Sequence, residues 1–288
     1  MANTISFNGR DYKLAEFKPE VVSMADMLVT NAHLKAASPL PADTDLSDAD
    51  QKEVQAQIPA MLALPPAAIS IFLNAFAAHH LNDIAVSLRR LSHATQPQAM
   101  STAIQLLSLV PDPKEQPYFR KFLHNSAAVK DVPTIIAKAF VKGILLNEPS
   151  GPGHHCTLMI HTLFWCDPSL GDDGKASIDA DVRAALVPAI ESVVKSPRAA
   201  DMEQLQLVEL QRLLGILNVI EQMPGAHYIN STRGYLEGQV DMCAGRNMCD
   251  EEPELACSKC KTLRYCGKEC QAWHWKHGHK VRCFKTDY

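Results

Sequence analysis

Cys243, Cys249, Cys257, Cys260, Cys266, Cys270, His279 and Cys283 crowd one end of this chain at metal-ligand spacing. Read in order they form C-x5-C, C-x2-C, C-x3-C and a closing H-x3-C. Eight thiolate or imidazole ligands make two complete tetrahedral sites, and zinc is the metal that prefers closed, four-coordinate sites of this kind. Such sites are structural rather than catalytic, because no coordination position stays open for substrate. A segment this short buries little core, so the metal supplies its folding energy, ~10–16 kcal/mol per structural zinc. Disulfides are the competing reading. Nothing in the sequence directs the chain to an oxidising compartment, and the pairs are spaced for metal. His279 is preferred to His274 and His277 as the last ligand because three residues separate it from Cys283.

The residues between the ligands narrow the type. Tyr265 precedes Cys266, Gln271 follows Cys270, and Trp275 leads into Gly278-His279-Lys280 and Cys283. This run resembles the MYND-type zinc finger. It departs from that pattern at the first pair, where five residues separate Cys243 from Cys249. The resemblance implies a cross-brace holding two zinc ions. Cys243, Cys249, Cys266 and Cys270 would hold the first, and Cys257, Cys260, His279 and Cys283 the second. It also implies a peptide-binding module that takes short, proline-rich segments, with Gln271 and Trp275 lining the groove. An extended proline-rich ligand is pre-ordered, and an aromatic face gives it a docking surface. The ring of Trp275 is expected beside the zinc core, with Trp273 partly exposed. The histidines that do not ligate are expected to be exposed.

The finger is basic, with Lys259, Lys261, Arg264, Lys268, Lys276, Lys280, Arg282 and Lys285. Basic patches can bind nucleic acid. Here the cations also offset the formal charges of a four-thiolate site and a three-thiolate, one-histidine site. There is no C-x2–4-C-x12-H-x3–5-H pattern, so nucleic acid is not the expected partner.

These ligands need a scaffold, and most of the chain is available for one. It has 288 residues, 47% of them hydrophobic and 21% charged, and a formal net charge of −4. That is globular composition with no whole-protein attraction to nucleic acid or acidic lipid. Seven of the nine cysteines belong to the finger, and Cys156 and Cys166 read as small buried hydrophobes. This usage fits a reducing cytoplasm or nucleus. The opening residues lack a basic-then-apolar pattern, so a secretory signal is not expected. The apolar run 58–78 carries Pro59, Pro65 and Pro66, which leave too little for a ~20-residue membrane span.

Residues 1–235 read as an all-helical domain and 236–288 as the finger. Helical periodicity marks 21–37, a helix capped at Ser47 or Asp48 running to 58, 65–78, 83–94, 98–110, 117–127, 132–146, 154–166, 179–195 and 200–223. Alternating strand patterns are nearly absent. The fold class is therefore mainly α, a helical bundle or an armadillo/HEAT-like helix stack, closed by a small cross-braced two-zinc finger. Pairs recur at broadly the ~40–47-residue interval of armadillo-like repeats, without a recurring residue signature.

Two other groups could carry chemistry. His154, His155 and His161 with Cys156 resemble a second metal site, but no acidic ligand or H-E-x-x-H pattern accompanies them. They are read as two loop-proximal histidines and one core histidine. His79-His80 is read as a helix end, where imidazolium suits the dipole. Asp172-Asp173 reads as solvated loop charge. No P-loop, G-x-G-x-x-G or G-x-S-x-G motif occurs. The Asn-His motif of SET-domain methyltransferases and the Cys-x-His pair of a RING ligase are missing too. The expected function is a non-enzymatic, zinc-binding interaction or adaptor protein. The alternative is a component or adaptor of a ubiquitin-ligase or transcriptional regulatory complex.

Overall fold

The computed structural model describes residues 4–7, 9–144, 151–166, 177–222, 227–240, 242–245, 249–286 and 288. A small hairpin comes first, β1 (Thr4–Phe7) paired antiparallel with β2 (Arg10–Lys13). Ile5 faces Tyr12 across it, and Gly9 takes a left-handed φ of 73° at the turn. A signal for this hairpin stands in the sequence: Asn8-Gly9 between short alternating segments is a strong two-residue turn pattern. The near-absence of strands read from the sequence overlooked it.

Helices build the rest of the body. Helix α1 (Leu14–Asn31) buries Phe17, Val21, Ala25 and Leu28, a stripe at helical spacing. It packs on α2 (Asp48–Leu62) and α3 (Pro66–Arg90). Ser47 caps α2, accepting a hydrogen bond from the Asp50 amide at 3.1 Å. The polar connector before α2 also does structural work. Asp45 accepts from the amides of Gln98 and Ala99 at 2.9 Å, capping the incoming end of α4 (Pro97–Ser108).

Helix α3 corrects two boundaries. The expected helices 65–78 and 83–94 are one, because Asn82 and Asp83 cost a helix little when its apolar stripe continues through Leu81, Ile84 and Leu88. His79 and His80 therefore lie in mid-helix rather than at a dipole end. Pro59 lies inside α2, whose last turn absorbs it; the helix stops at Ala63, before Pro65 and Pro66.

Helices α5 (Pro117–Leu123), α6 (Ser126–Val129) and α7 (Val132–Val141) follow. Helix α8 (Pro152–Trp165) is buried almost all round and lies against α4, α7, α10 (Gln204–Gln222) and α11 (His227–Val240). Helix α9 (Ala180–Lys195) packs on α7 and α10. Helix α11 was not expected from the sequence. Its sequence is mostly polar and holds Gly234 and Gly238, both poor helix formers, so it reads as a loop. Each layer packs on its neighbours along the chain, so the body is a succession of helix layers around a continuous apolar core. Cys156 and Cys166 are buried in it. Asp172-Asp173 lies outside the described residues. No helix among the described residues is long and apolar enough to cross a membrane.

Candidate metal centre

Two clusters of soft ligands stand in the last part of the chain. Cys243, Cys249, Cys266 and Cys270 form one, and Cys257, Cys260, His279 and Cys283 the other. Within each cluster all ligand atoms lie within 4.8 Å of one another. The order along the chain alternates between clusters, which is a cross-brace.

Local structure explains how each pair arrives. Strand β3 (Leu255–Ala256) pairs with β4 (Arg264–Tyr265). Between them Cys257 donates its amide to Leu263 and accepts one from Lys261, and Lys261 takes a left-handed φ of 56°. This tight knuckle aims Cys257 and Cys260 at one point. Cys266 precedes α12 (Lys268–His274) and Cys270 lies on it. Beyond α12 the helix is broken at Gly278, whose φ of 136° suits glycine. The break turns His279 inward, and α13 (Lys280–Arg282) carries the chain one turn on to Cys283.

Distances separate zinc from disulfide chemistry. Sulfurs on a tetrahedral zinc at ~2.3 Å stand roughly 3.8 Å apart, whereas a disulfide closes to ~2.05 Å. In the first cluster Cys266 Sγ lies 3.6 Å from both Cys243 and Cys249, and Cys270 lies 3.9 Å from Cys249. In the second, Cys257 and Cys283 are 3.9 Å apart, and His279 Nε2 is 3.3 Å from Cys257 and 3.8 Å from Cys260. All these cysteines are free thiols. Thiols this close cannot all ionise unaided. A hydrogen bond from Cys283 holds Cys260 down at about 2, while Cys283 itself is pushed up by the same contact. Cys266 is likewise pushed up, chiefly by Cys270. A divalent cation removes the conflict by taking all four groups in their deprotonated form. The residues therefore fit zinc.

The clusters differ in depth. All four ligands of the second are buried, whereas Cys249 and Cys266 of the first are half-exposed. The second is also built into the helical body. Lys18 on α1 donates to the carbonyl of Cys283 at 3.3 Å and lies 3.9 Å over the Phe284 ring. Tyr118 on α5 donates to the Arg282 carbonyl at 3.1 Å and accepts from the Phe284 amide at 2.9 Å. Tyr288 donates to the Ala77 carbonyl on α3, with its ring edge-on to Phe122. Phe284 meets His79 edge-on at 5.3 Å. Residues 283–286 and Tyr288 are thus a strap seated among α1, α3 and α5. No spacing rule reaches contacts at such sequence separation.

The histidines and tryptophans sort as follows. His277 is exposed and stacks on Trp273 at 4.1 Å. His274 is half-buried, with Nδ1 3.1 Å from the Tyr265 hydroxyl and its ring stacked on His279 at 5.1 Å. It braces the ligand instead of facing solvent, contrary to the expectation that both other histidines are exposed. Trp275 stands edge-on to His279 at 5.7 Å and Trp273 is half-buried. Gln271 lies one helical turn before Trp275, also half-buried. His154, His155 and His161 do not converge. His154 bonds Ser108 at 2.7 Å, His155 is enclosed in the core, and His161 lies 3.9 Å from Asp112. Among the described residues only the two clusters of the finger could hold a metal.

Gly245 offers a way to address one cluster alone. A methyl group there would stand 2.3 Å from Cys270 Cβ and 2.9 Å from its backbone Cα. Gly245→Ala should push Cys243 away from Cys270 and lower bound zinc from about two ions to about one. Elemental analysis of purified protein checks this. Full zinc retention would show that residues 242–245 shift at little cost.

The comparisons agree with this geometry. Residues 243–283 match the family model of the MYND finger. Ubiquitin carboxyl-terminal hydrolase 17 of Arabidopsis thaliana is 53% identical over 32 residues, which are 11% of this chain and 4% of that protein. Ubiquitin carboxyl-terminal hydrolase 19 of the same plant is 43% identical over 37 residues, 13% of this chain and 6% of the relative. Ubiquitin C-terminal hydrolase 15 of Oryza sativa subsp. japonica is 46% identical over 35 residues, 12% and 4% of the two chains. These likenesses are confined to the finger. No solved structure matches the chain significantly. Residues 243–283 are a MYND finger, a zinc-binding type that generally serves protein interaction.

Proposed function

We propose that this chain is a non-enzymatic adaptor whose finger, closed by two zinc ions on the eight ligands above, binds short proline-rich peptides through Trp275 and Gln271. One observation carries the reading. Trp275 forms part of the wall of a groove of about 450 Å³ that opens between the finger and the helical body. His279 of the buried cluster braces the ring from behind. A fixed aromatic wall suits a proline-rich segment, which is already extended and loses little entropy on docking. Gln271 does not line that groove. It stands four residues before Trp275 on the same helical face, so it would meet the ligand at the groove's edge. The hydrolase activity named for the relatives belongs to proteins of which the match covers only 4% to 6%, and is not transferred.

The test is titration of the intact, zinc-loaded chain against a proline-rich peptide library. The intact chain is needed because the buried cluster leans on Lys18 and Tyr118. Trp275→Ala should abolish binding. Gln271→Ala should weaken it several-fold, the ~0.5–1.5 kcal/mol of one hydrogen bond, with zinc retained. Unchanged binding in both variants would place the peptide elsewhere.

A further inference from the structure

The groove beside Trp275 is only half made by the finger. Its other wall comes from the helical body: Lys13 and Leu14, where β2 runs into α1, and Ala67 at the start of α3. Its charge is one-sided. Lys13, Lys276, Lys280 and Arg282 line it, and no carboxylate does. Lys13, Lys276 and Lys280 are exposed. Outside the lining, Glu16 forms an exposed ion pair with Lys13 at 3.6 Å. Arg282 is half-buried, and its Nε is enclosed with no hydrogen-bond partner in the protein. Between the cations the surface is apolar, from Leu14, Trp275 and Val281.

We propose that this composite groove binds an extended acidic peptide of a partner protein, with one apolar side chain against Trp275 and flanking carboxylates met by Lys13, Lys280 and Arg282. The inference rests on the peptide-binding reading above and adds its selectivity. The helical body takes part in recognition through Lys13. Charge complementarity decides the class of occupant. A basic segment would meet four like charges, and like-charge juxtaposition across an interface is strongly unfavourable. The chain itself holds an acidic loop, Asp250-Glu251-Glu252-Pro253-Glu254. That loop is tied back, however, since Arg264 donates to the Pro253 carbonyl at 2.9 Å and Glu254 donates its amide to Tyr265. A separate, flexible segment fits the groove better than this loop on a second copy.

Three synthetic peptides with one Pro-Pro-Leu centre, flanked by glutamates, serines or lysines, provide the probe. Fluorescence anisotropy with the intact, zinc-loaded chain should rank them glutamate over serine over lysine. The glutamate peptide should be favoured over serine by at least about fivefold at low salt. High salt should erase most of that advantage, because exposed charges are screened. Lys13→Ser with Lys280→Ser should bring the glutamate peptide down to the serine value and leave the serine peptide unmoved, with zinc content and melting temperature unchanged. Equal binding of all three would overturn the selectivity while leaving the peptide-binding reading intact. Absence of binding by all three would sink both. A loss seen with Lys280→Ser but not with Lys13→Ser would confine the site to the finger and overturn the role of the helical body. Self-association of the unliganded chain in sedimentation, relieved by Lys13→Ser, would overturn the choice of occupant in favour of the acidic loop of a second copy.

Discussion

Chelating zinc should unfold residues 243–288 and leave most of the helical signal in place. Each structural zinc is worth ~10–16 kcal/mol to the segment it organises. The segment's own secondary structure is slight, one ladder of two two-residue strands and helical segments of seven, five and three residues, so its contacts with the body depend on the metal-held fold. The body has its own continuous apolar core, from Phe17 on α1 to Leu217 on α10. The strap of 283–286 and Tyr288 should follow the finger, because Cys283 is its anchor and Tyr118 can then no longer bridge Arg282 and Phe284. The check is far-ultraviolet circular dichroism beside limited proteolysis, with and without chelator. New cleavage sites should cluster within 243–288 while ellipticity falls only modestly. Loss of most helicity would show one cooperative unit, with the strap holding α1, α3 and α5 together.

Acid should destabilise the helical body independently of zinc. His80, His155 and His161 are buried, and burial lowers each from the usual 6.5 to about 4. Neighbours modulate this: His79 and Lys35 lower His80 further while Asp26 opposes them, and Arg212 and Asp112 oppose each other at His161. Each ring also has a buried nitrogen without a hydrogen-bond partner in the protein. The sign follows. Below pH ~6.5 the unfolded chain takes up protons that the folded chain refuses until about 4. Stability is whole above that window and is lost as pH falls through it, by roughly 2 kcal/mol per histidine at about pH 5. Urea unfolding at about pH 7 and about pH 5, with chelator throughout so that zinc release adds nothing, should show the midpoint fall. An unchanged midpoint would mean that these rings become protonated inside the folded body.

The finger was far more legible than its surroundings. Metal coordination is a local rule: C-x2-C, C-x3-C and H-x3-C state directly which side chains can reach one ion, and the tight knuckle at Lys261 and the break at Gly278 realise those spacings. The helical class was legible for the same reason, since the apolar stripe of α1 or α3 recurs within one turn. What failed was local evidence too weak for its element, or evidence that is not local. Helix α11 is mostly polar with two internal glycines, Gly234 and Gly238, and the hairpin of β1 and β2 is short enough to overlook. Placing His79-His80 at a helix end followed from splitting α3 where Asn82 and Asp83 only resemble a stop. The seating of Phe284 and Tyr288 against His79, Tyr118 and Phe122 depends on tertiary packing, and so does the groove shared between Lys13 and Trp275.

Native mass spectrometry of the intact chain with a proline-containing acidic peptide reads zinc occupancy and peptide binding in one spectrum. Peptide adducts are expected on the species carrying two zinc ions, with all cysteines reduced, and none on the zinc-free species. Adducts that form equally without zinc, or a two-zinc species that takes up no peptide, would contradict it.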